Sequence, residues 1–526
     1  MLEYFRLTLQ KYNEFQGGGA QMTLFWVSAL LLLALPKFRG SKIIGSLLKY
    51  TLLFLIVFFC PISAGIIMKY CIGESVYWRM LWLLPEVIVI AYFLTNLVME
   101  HTGAKRVVLL ILCGALVATT GTGFFKYLKP TRVGGINKLP NETIALCESL
   151  QAEKAKRGES EIRVIVPDEL VCSVRQYDAT IKMPYGRAVL KGEKTHLIHD
   201  TLTQAPVSFD LLAYQAGLYG CNYLVYPISE DGGNEAGLQE AGFESAGQVA
   251  GYGLYHIDTE KKDEWAVISY PDQSGNQAMF YTLYNAKKDS LIVVDGGWNA
   301  NTDLVRRVIK AHGGKVKAWI LTHYHTDHIS AFNEIYQNPK GIKIQQVYVS
   351  PYDRQYFEQV AEEWDNLDTY ENFLNVTKNG KNISALHRDD TLEIDGLKLQ
   401  VFNSYDQRAV ENTKDIGNDG GLMFKVTGKN ASMLFCADVH SKTMADMLLE
   451  RYGDELKADY VQLGHHGNNS FPTYLYDVVD ARVAIFDMPE SIMNGEKYTC
   501  QELKSYLIKK GTETREYSQG ASVLYL

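Results

Sequence analysis

The chain has 526 residues, too many for a single hydrophobic core, so we expect about two to four domains. Lys and Arg number 52 and Asp and Glu number 60, which gives a net charge of −8. The excess acid lies in the second half: residues 261–526 carry 29 basic and 37 acidic side chains, whereas residues 1–260 carry 23 of each. A domain that grips a nucleic-acid backbone is expected to be basic, so this composition argues against such a role for the second half.

Four apolar runs almost free of charge dominate the first part of the chain, at residues 22–36, 51–68, 78–99 and 107–125. A helix needs ~17 to 25 such residues to span a bilayer. A signal peptide would account for one run, but not for four, and no small-residue cleavage site follows the first. Buried soluble helices are the alternative. The sequence therefore predicts a bundle of about four transmembrane helices over residues 1–128, and hence an integral membrane protein.

The orientation of this bundle can be predicted from its loops, because Lys and Arg accumulate on the cytoplasmic side. Basic residues are concentrated in the first loop and the third, at Lys37, Arg39, Lys42, Lys49, Lys105 and Arg106. The intervening loop has only Lys69 and Arg79. We therefore expect a multi-pass protein of the cell membrane whose C-terminal domains are extracytoplasmic, although three basic residues just after the last run, at positions 126, 129 and 132, favour the opposite orientation.

A small α/β domain is predicted after the bundle, at residues 140–258, following a Pro- and Gly-containing linker over residues 129–140. Its predicted elements are helices at 142–157, 168–176 and 209–220, strands at 162–166 and 222–226, and glycine-interrupted edge strands at 242–255. It contains no ligand cluster, nucleophile elbow or phosphate loop. A spacer and a substrate-presenting module are both open roles for it.

Three histidines and an aspartate lie within six residues directly after the apolar run 318–321, in the sequence Thr322-His323-Tyr324-His325-Thr326-Asp327-His328. Alternate residues of an extended segment project to the same side, so His323 and His325 can bind one ion, and the following turn can direct Asp327 and His328 to a second. Imidazole and carboxylate ligands together suit Zn²⁺, Mn²⁺ or Fe²⁺. The alternative, a His-rich surface loop, is improbable by chance when only 12 histidines occur in the chain.

Three further apolar strands are predicted to end in polar side chains of the same kinds. The first covers residues 290–295 and ends in Asp295, followed by two glycines. The second covers residues 432–438 and ends in Asp438. The third begins at Tyr460 and ends in the run His465-His466-Gly467.

Together these four motifs resemble the metallo-β-lactamase superfamily, whose signature is H-x-H-x-D-H at a strand end, and the resemblance covers residues 265–526. It implies a four-layer αβ/βα sandwich at residues 263–526, so the expected fold class is α/β, with the sandwich preceded by the transmembrane bundle and the small α/β domain. It also implies that Asp295 braces the metal loop without binding metal, and that Asp438 bridges two metal ions.

The doubled histidine leaves one position to assign. We expect His466 to be the metal ligand, because the glycine after it permits a tight approach of the loop. His465 is then a candidate proton donor to the leaving group, or a structural histidine, and both roles stay open.

The doubled histidine and the run Asn418-Asp-Gly-Gly resemble one subgroup in particular, which contains the lactamase-like domain of the competence DNA-uptake channel and the phosphorylcholine esterases. One departure stands out. The superfamily usually has another histidine at the end of the strand that here reaches Asn403, and the nearest histidine, His387, precedes that strand. The first metal site therefore lacks a usual ligand, which leaves the filling of both sites open.

The ligand set predicts hydrolysis, because a bound divalent ion lowers the pKa of its water from ~15.7 toward 7 and so makes hydroxide available. Asp327 is expected to bind the second ion while orienting that water. We predict a membrane-anchored hydrolase, using two Zn²⁺ ions or Mn²⁺, that acts on a small-molecule or cell-surface phosphodiester. A competence-type surface nuclease is the alternative enzyme, although the acidic balance does not favour nucleic acid. A non-catalytic binding or sensor module, favoured only by Asn403, is the alternative outside catalysis.

Aromatic side chains are concentrated in the region after the metal loop. They are Tyr348, Tyr352, Tyr356, Trp364 and Tyr370. Such a group can line a substrate cleft or surround a choline-like cation, or it can belong to ordinary core packing.

Overall fold

The structure of the protein is a computed structural model that describes residues 2–16, 20–38, 40–120, 139–229, 232–272, 274–406, 413–495 and 499–526. The chain divides into two compact units, Met1–Arg132 and Val133–Leu526. The predicted linker at residues 129–140 and the end of the fourth apolar run lie mostly outside the described residues. The predicted boundary near residues 258–263 falls inside the second unit and stays a prediction.

The described residues of the first unit are almost entirely helical. Its α-helices are α1 (Leu2–Gln16), α2 (Gln21–Ala34), α3 (Lys42–Phe59), α4 (Pro61–Ile66), α5 (Glu86–Met99) and α6 (Gly103–Thr120). A π-helical turn (Ile67–Cys71) and a 3₁₀ helix (Glu74–Leu83) lie between α4 and α5, and a short 3₁₀ turn (Pro36–Phe38) follows α2. Ser41 begins α3 by accepting a hydrogen bond from the backbone N–H of Ile44, as a helix N-cap does.

Three segments of this unit are long and apolar enough to cross a membrane: Lys42–Phe59, Glu74–Met99 and Gly103–Thr120. Helices α1 and α2 meet at an angle of 105° and would make a fourth span if counted together. Helix α2 holds the first predicted run but has only 14 residues, fewer than a bilayer requires. Helix α1 was not predicted, because its apolar residues alternate with polar ones. Helices therefore occur at the predicted positions, while the insertion of this bundle in a membrane and its orientation stay predictions.

The second unit begins with a small α/β region that has its own hydrophobic core. Its helices are α7 (Asn141–Arg157), α8 (Asp168–Tyr177), α9 (Arg187–Leu190), α10 (Leu197–Thr203), α11 (Phe209–Tyr219) and α12 (Gly233–Glu240). Its strands are β1 (Val164–Ile165), β2 (Tyr223–Pro227), β3 (Glu244–Val249) and β4 (Tyr252–His256), in the order β1-β2-β4-β3. The long helices and the strands were predicted, but the expectation of edge strands at 242–255 is wrong for β4, which pairs with both β2 and β3. Helices α9, α10 and α12 were missed, since they span at most eight residues and show little periodicity.

The rest of the second unit contains two seven-stranded sheets. The first, in spatial order, comprises β12 (Ile383–Ala385), β11 (Val347–Val349), β9 (Ala318–Leu321), β7 (Ser290–Asp295), β6 (Phe280–Asn285), β5 (Trp265–Ser269) and β20 (Ser522–Tyr525). The second comprises β13 (Thr391–Ile394), β14 (Leu397–Asn403), β15 (Met423–Thr427), β16 (Ser432–Phe435), β17 (Tyr460–Gln462), β18 (Val483–Phe486) and β19 (Glu513–Glu516). Two short strands, β8 (Lys315–Val316) and β10 (Lys343–Ile344), form a separate pair.

Helices cover the outer faces of both sheets. They are α13 (Thr302–Ala311), α14 (Thr326–Gln337), α15 (Arg354–Val360), α16 (Leu367–Thr377), α17 (Ile416–Asp419), α18 (Lys442–Tyr452), α19 (Thr473–Val479), α20 (Glu490–Met493) and α21 (Cys500–Lys510). The inner faces pack on each other, and the rings of Tyr281 and Phe435 meet edge to face at 5.2 Å between the sheets. This is the predicted four-layer αβ/βα sandwich. Because both faces of β9 are covered, all four of its residues are buried.

Two local features of the sandwich are a hairpin and a broken helical region. Strands β15 and β16 pair antiparallel across a turn at residues 428–430. The helical region after β11 is broken into two helices, because α15 ends at Val360 and Asn366 adopts a left-handed φ of 44° before α16. That break becomes important below, since it places a carboxylate at the functional site.

The strand order brings the four sequence motifs to one edge. Strands β7 and β9 run parallel in the first sheet, and β16, β17 and β18 run parallel in the second. Carboxyl ends of parallel strands meet at the same edge of a sheet. Side chains that follow β7, β9, β16 and β17 hydrogen bond or lie within 4 Å of one another, so the two sheets present these ends to a common site.

Substitution of Trp319 would test the packing of the core next to the edge where the four motifs meet. Trp319 is fully buried against Phe332, and its indole Nε1 donates to the backbone carbonyl of Asp295 at 2.8 Å. We expect Trp319→Ala to lower the free energy of unfolding by ~3–5 kcal/mol in denaturant titrations, because it leaves a large cavity. Trp364→Ala is the control: this side chain is 59% exposed, and its loss should change stability by less than about 0.5 kcal/mol. Equal effects of the two substitutions would contradict the packing described.

Candidate metal centre

Two groups of buried His and Asp side chains lie at this edge and share Asp438. The four-ligand group is Asp327, His328, Asp438 and His466, and the three-ligand group is His323, His325 and Asp438. Within each group, the candidate ligand atoms lie within 4.8 Å of one another. The structure therefore brings together all six residues proposed from the sequence as metal ligands, while metal binding by them stays a prediction.

The four-ligand group has the spacing of a coordination shell. The His466 Nε2 atom lies 3.2 Å from Asp327 Oδ2, 3.3 Å from Asp438 Oδ2 and 3.2 Å from the Nε2 atom of His328. Atoms bound tetrahedrally at ~2.0–2.1 Å from one ion lie about 3.3 Å apart. Two imidazole nitrogens this close also require a cation or a proton between them. The donor set therefore fits one divalent ion.

The three-ligand group is more open. The His323 Nε2 atom lies 3.8 Å from Asp438 Oδ2, and the rings of His323 and His325 are 4.5 Å apart. Among the described residues, this buried Nε2 atom has no hydrogen-bond partner. An unpartnered buried nitrogen is costly, so it too fits a position beside a cation.

The electrostatics of the centre favour a positive charge between the carboxylates. Burial opposes a charge on His328, but the carboxylates of Asp438 and Asp295 outweigh burial and raise the pKa of its imidazole well above the usual value. The same balance of burial against Asp438 raises the pKa of His466 to about 10. Burial lowers the pKa of His323, which is therefore neutral. Without another cation the centre would hold protons, and a divalent ion that binds there replaces them.

Asp295 braces the metal loop, as the resemblance implied. Its Oδ1 atom accepts the backbone N–H of Thr322 at 2.8 Å, and its Oδ2 atom accepts the Thr322 hydroxyl at 2.6 Å and Nδ1 of His328 at 2.7 Å. With a proton on Nδ1, the imidazole of His328 presents the lone pair of Nε2 to the four-ligand group. Asp295 thus fixes the orientation of a candidate ligand and lies in neither ligand group. Its bracing contacts agree with the expectation, while the absence of metal binding by Asp295 stays a prediction.

The backbone turns sharply after three of the four strands. Residues with left-handed φ occur there, namely Asp295 (52°), Ala437 (50°), His465 (50°) and His466 (57°). This conformation costs non-glycine residues ~1–3 kcal/mol each, and it persists only where the surroundings impose it. Here it turns the side chains that follow each strand inward.

His465 lies outside both ligand groups. Its Nδ1 atom is 2.7 Å from the carbonyl oxygen of Asn468, and its ring stacks on that of His440 at 4.9 Å. Burial lowers the pKa of His465, so the neutral ring donates Nδ1–H to Asn468 and leaves Nε2 as an acceptor. As a proton donor at neutral pH, His465 would first have to receive a proton on Nε2, and its proton-transfer role stays a prediction.

Asn403 does not replace the missing histidine as a ligand. Its Oδ1 atom accepts a hydrogen bond from Arg388 Nη2 at 2.8 Å, and its Nδ2 atom donates to the carbonyl oxygens of Asp419 and Gly421. His387 is exposed and belongs to neither group. The three-ligand group therefore has no further histidine among the described residues.

Sequence reasoning missed several residues beside the centre. Asp419 accepts hydrogen bonds from the backbone N–H groups of His440 and Ser441, which fixes the loop after Asp438. Asp487 follows β18 and accepts a hydrogen bond from Tyr281, and burial raises its pKa to about 6. Asp487 repeats the pattern of an apolar strand followed by a carboxylate, so the sequence did contain a signal for it.

Some of the aromatic residues after the metal loop are buried and others are exposed. Tyr352 and Tyr370 are buried against Tyr324, which supports the packing interpretation for them. Trp364 is exposed and lies next in sequence to a buried carboxylate, Asp365, that contacts His325.

Asp295→Asn tests the brace. The variant keeps the volume but removes the negative charge that holds His328, so we expect the affinity of the four-ligand group for a divalent ion to fall ~10–100-fold, as measured by titration against a chelator. Asp303→Asn, an exposed aspartate on α13, is the control and should leave the affinity unchanged. An unchanged affinity in Asp295→Asn would show that the hydrogen bond to His328 does not support binding.

The second unit is similar to known proteins. Residues 278–440 match the model of the metallo-beta-lactamase superfamily. Among solved structures, the chain is similar to the metallo-beta-lactamase fold protein YhfI from Bacillus subtilis (13% identity, TM-score 0.33, covering 50% of this chain and 100% of that one). It is also similar to CmlA, a diiron β-hydroxylase from Streptomyces venezuelae (12% identity, TM-score 0.33, covering 61% of this chain and 60% of that one). A third similar structure is a diphosphatase from the PhnP family (13% identity, TM-score 0.30, covering 50% of this chain and 98% of that one). No curated protein matches the chain.

The matched residues contain three of the four strand-end motifs, from Asp295 through the metal loop to Asp438. The sandwich of two covered sheets, with these motifs at one edge, extends over residues 265–525. Through this C-terminal part, the chain is similar to the metallo-β-lactamase superfamily.

Proposed function

We propose that this chain is a membrane-anchored, metal-dependent hydrolase that cleaves phosphodiesters outside the cytoplasm. The observation that carries the proposal is the buried Asp438 carboxylate, which lies within reach of both ligand groups. Divalent ions bound there, expected to be Zn²⁺ or Mn²⁺, would supply a water of lowered pKa and neutralise charge on the attacking and leaving oxygens, which is the chemistry that phosphodiester hydrolysis needs.

Each polar side chain of the centre has a proposed role. Asp438 holds the two groups at a fixed separation, and Asp327 orients the attacking water while its Oδ2 atom contacts His466. His465 moves a proton toward the leaving oxygen. Because Asn468 holds its Nδ1 atom, Nε2 is the atom that exchanges the proton.

The acidic balance supports a short substrate. With 37 acidic and 29 basic side chains in residues 261–526, an extended polyanion would be repelled, whereas one phosphodiester needs only the local charge of the centre. A surface nuclease is the second candidate, supported by the doubled His465-His466 and the Asn418 run. The proposed substrate is therefore a small-molecule or cell-surface phosphodiester.

The catalytic proposal predicts distinct effects of three substitutions. In the purified full-length protein, Asp327→Asn and Asp438→Asn should each abolish hydrolysis of bis-p-nitrophenyl phosphate, and Asp438→Asn should also release metal. His465→Ala should slow turnover by ~10²–10⁴-fold with unchanged metal content. Asp454→Asn is the matched control, since that carboxylate is highly exposed in the same region. Full activity in Asp438→Asn would contradict the proposal.

A panel of four substrates separates the candidate functions. It comprises bis-p-nitrophenyl phosphate, p-nitrophenyl phosphorylcholine, single-stranded DNA and a β-lactam. Hydrolysis of either small ester supports the proposal, and degradation of DNA alone favours the nuclease. No turnover of any substrate by metal-loaded protein would favour a binding module.

Membrane anchoring is proposed from three apolar helical segments and from the distribution of Lys and Arg. A reporter fused after residue 132 should behave as exported, because the third loop is expected to be cytoplasmic. A reporter fused after residue 102, within that loop, should behave as cytoplasmic and serves as the control. Cytoplasmic activity at both positions would place the catalytic part inside the cell and overturn the proposed location.

A further inference from the structure

Asp365 is a buried carboxylate that no sequence motif singles out. It lies in the break between α15 and α16, in the long connection from β11 to β12, and is 1% exposed. Buried carboxylates are rare unless they are paired, so the contacts of Asp365 indicate its structural role.

The partners of Asp365 are its own loop and a proposed metal ligand. Its Oδ2 atom accepts the backbone N–H of Glu362 at 2.6 Å, which closes a tight turn. Its Oδ1 atom lies 2.8 Å from Nε2 of His325. The next residue, Asn366, donates to the hydroxyl of Thr326 at 2.8 Å, so the turn is attached to the metal loop at two adjacent positions.

This contact determines which nitrogen of His325 is available. A carboxylate accepts the proton of Nε2–H, which leaves the lone pair of the neutral imidazole on Nδ1. Asp365 is absent from the atoms that converge in the three-ligand group, whereas His325 is present. The arrangement parallels Asp295 and His328 in the four-ligand group, with the two ring nitrogens exchanged.

Gly417 packs closely against the hydrogen-bonded pair of Asp365 and His325. A Cβ atom at this position would overlap Oδ1 of Asp365 and would lie 2.8 Å from Nε2 of His325. Its φ lies outside the left-handed region, so glycine is required here for space. The hydroxyl of Tyr352 donates to the carbonyl oxygen of Gly417 at 2.6 Å and ties α17 to the same connection.

We propose that Asp365 is a positioning residue that sets the metal occupancy of the three-ligand group. Among the described residues, that group has only three candidate ligands, since Asn403 is engaged by Arg388 and by backbone carbonyls. With one ligand fewer, affinity depends more strongly on the orientation and basicity of each remaining imidazole. A carboxylate that is hydrogen bonded to the ring nitrogen facing away from the metal site fixes the orientation of the imidazole and raises its basicity. The inference rests on the proposed function in so far as both require metal at this centre.

The test measures metal binding by the full-length protein. Zn²⁺ is titrated in competition with a chromophoric chelator, and Co²⁺ is titrated separately while its visible absorption is followed. Wild type should bind two equivalents. In Asp365→Asn one equivalent should weaken ~10–100-fold while the other is unchanged, and Asp365→Ala should weaken the same equivalent further, because Asn still offers an oxygen to His325.

Three other variants make the result specific. Gly417→Ala should weaken the same equivalent as Asp365→Asn although it retains the carboxylate, because the added methyl group separates Asp365 from His325. Asp368→Asn, an exposed aspartate on α16, should bind two equivalents with wild-type affinity. Asp295→Asn should weaken the other equivalent and change a different part of the Co²⁺ spectrum.

The outcomes separate this inference from the proposed function. Two equivalents of unchanged affinity in both Asp365 variants, or equal weakening of both equivalents, would overturn the positioning role and leave the hydrolase proposal in place. A correctly folded wild type that binds no ion would overturn both. Loss of one equivalent in Asp365→Asn with normal far-ultraviolet circular dichroism supports the inference without recourse to activity.

Discussion

The burial of several carboxylates and imidazoles around Asp438 is the constraint on which the C-terminal structure depends. Asp438 is 1% exposed and lies within 4 Å of imidazole nitrogens of His323, His328 and His466. Charges at this depth are stable only if they are compensated. Although burial opposes a charge on His466, the carboxylates of Asp438 and Asp327 raise its pKa to about 10. The carboxylates therefore favour a positive charge at the centre, whether it is a proton or a metal ion. The two sheets therefore bring candidate ligands to the centre from both sides, and residues with a left-handed φ, such as Ala437, turn the chain after the strands.

The parts of this site that the sequence predicted are those with local signals. His323 and His325 alternate in a segment directly after an apolar run, and Asp438 follows another, so each could be assigned to a strand end without knowledge of its neighbours. The strands themselves were predicted because both faces are covered, which produces short continuous apolar runs. Asp295 was recognised for the same reason, and its hydrogen bonds to Thr322 and His328 agree with the role expected for it.

The parts that could not be predicted depend on contacts between residues far apart in sequence. Asp365 is 40 residues from His325, and no periodicity distinguishes it from the exposed acids around it. Asn403 was recognised as a departure, but its partner Arg388 follows from the pairing of β13 with β14 and not from any motif. In the first unit, α1 was missed because its sequence is only partly apolar, although the helix forms in the structure.

The two ligand groups differ in a way that bears on mechanism. Beside the four-ligand group, the brace Asp295 ends a central strand of the sandwich and is fixed by the fold itself. Beside the three-ligand group, the corresponding carboxylate, Asp365, belongs to a connection held by a turn, by Asn366 and by the space at Gly417. Interactions supplied by a connection open at lower free energy than those supplied by central strands. An ion bound in the three-ligand group would therefore be the one whose retention depends on local order, and through Asp438 its loss would alter the charge at the other group as well.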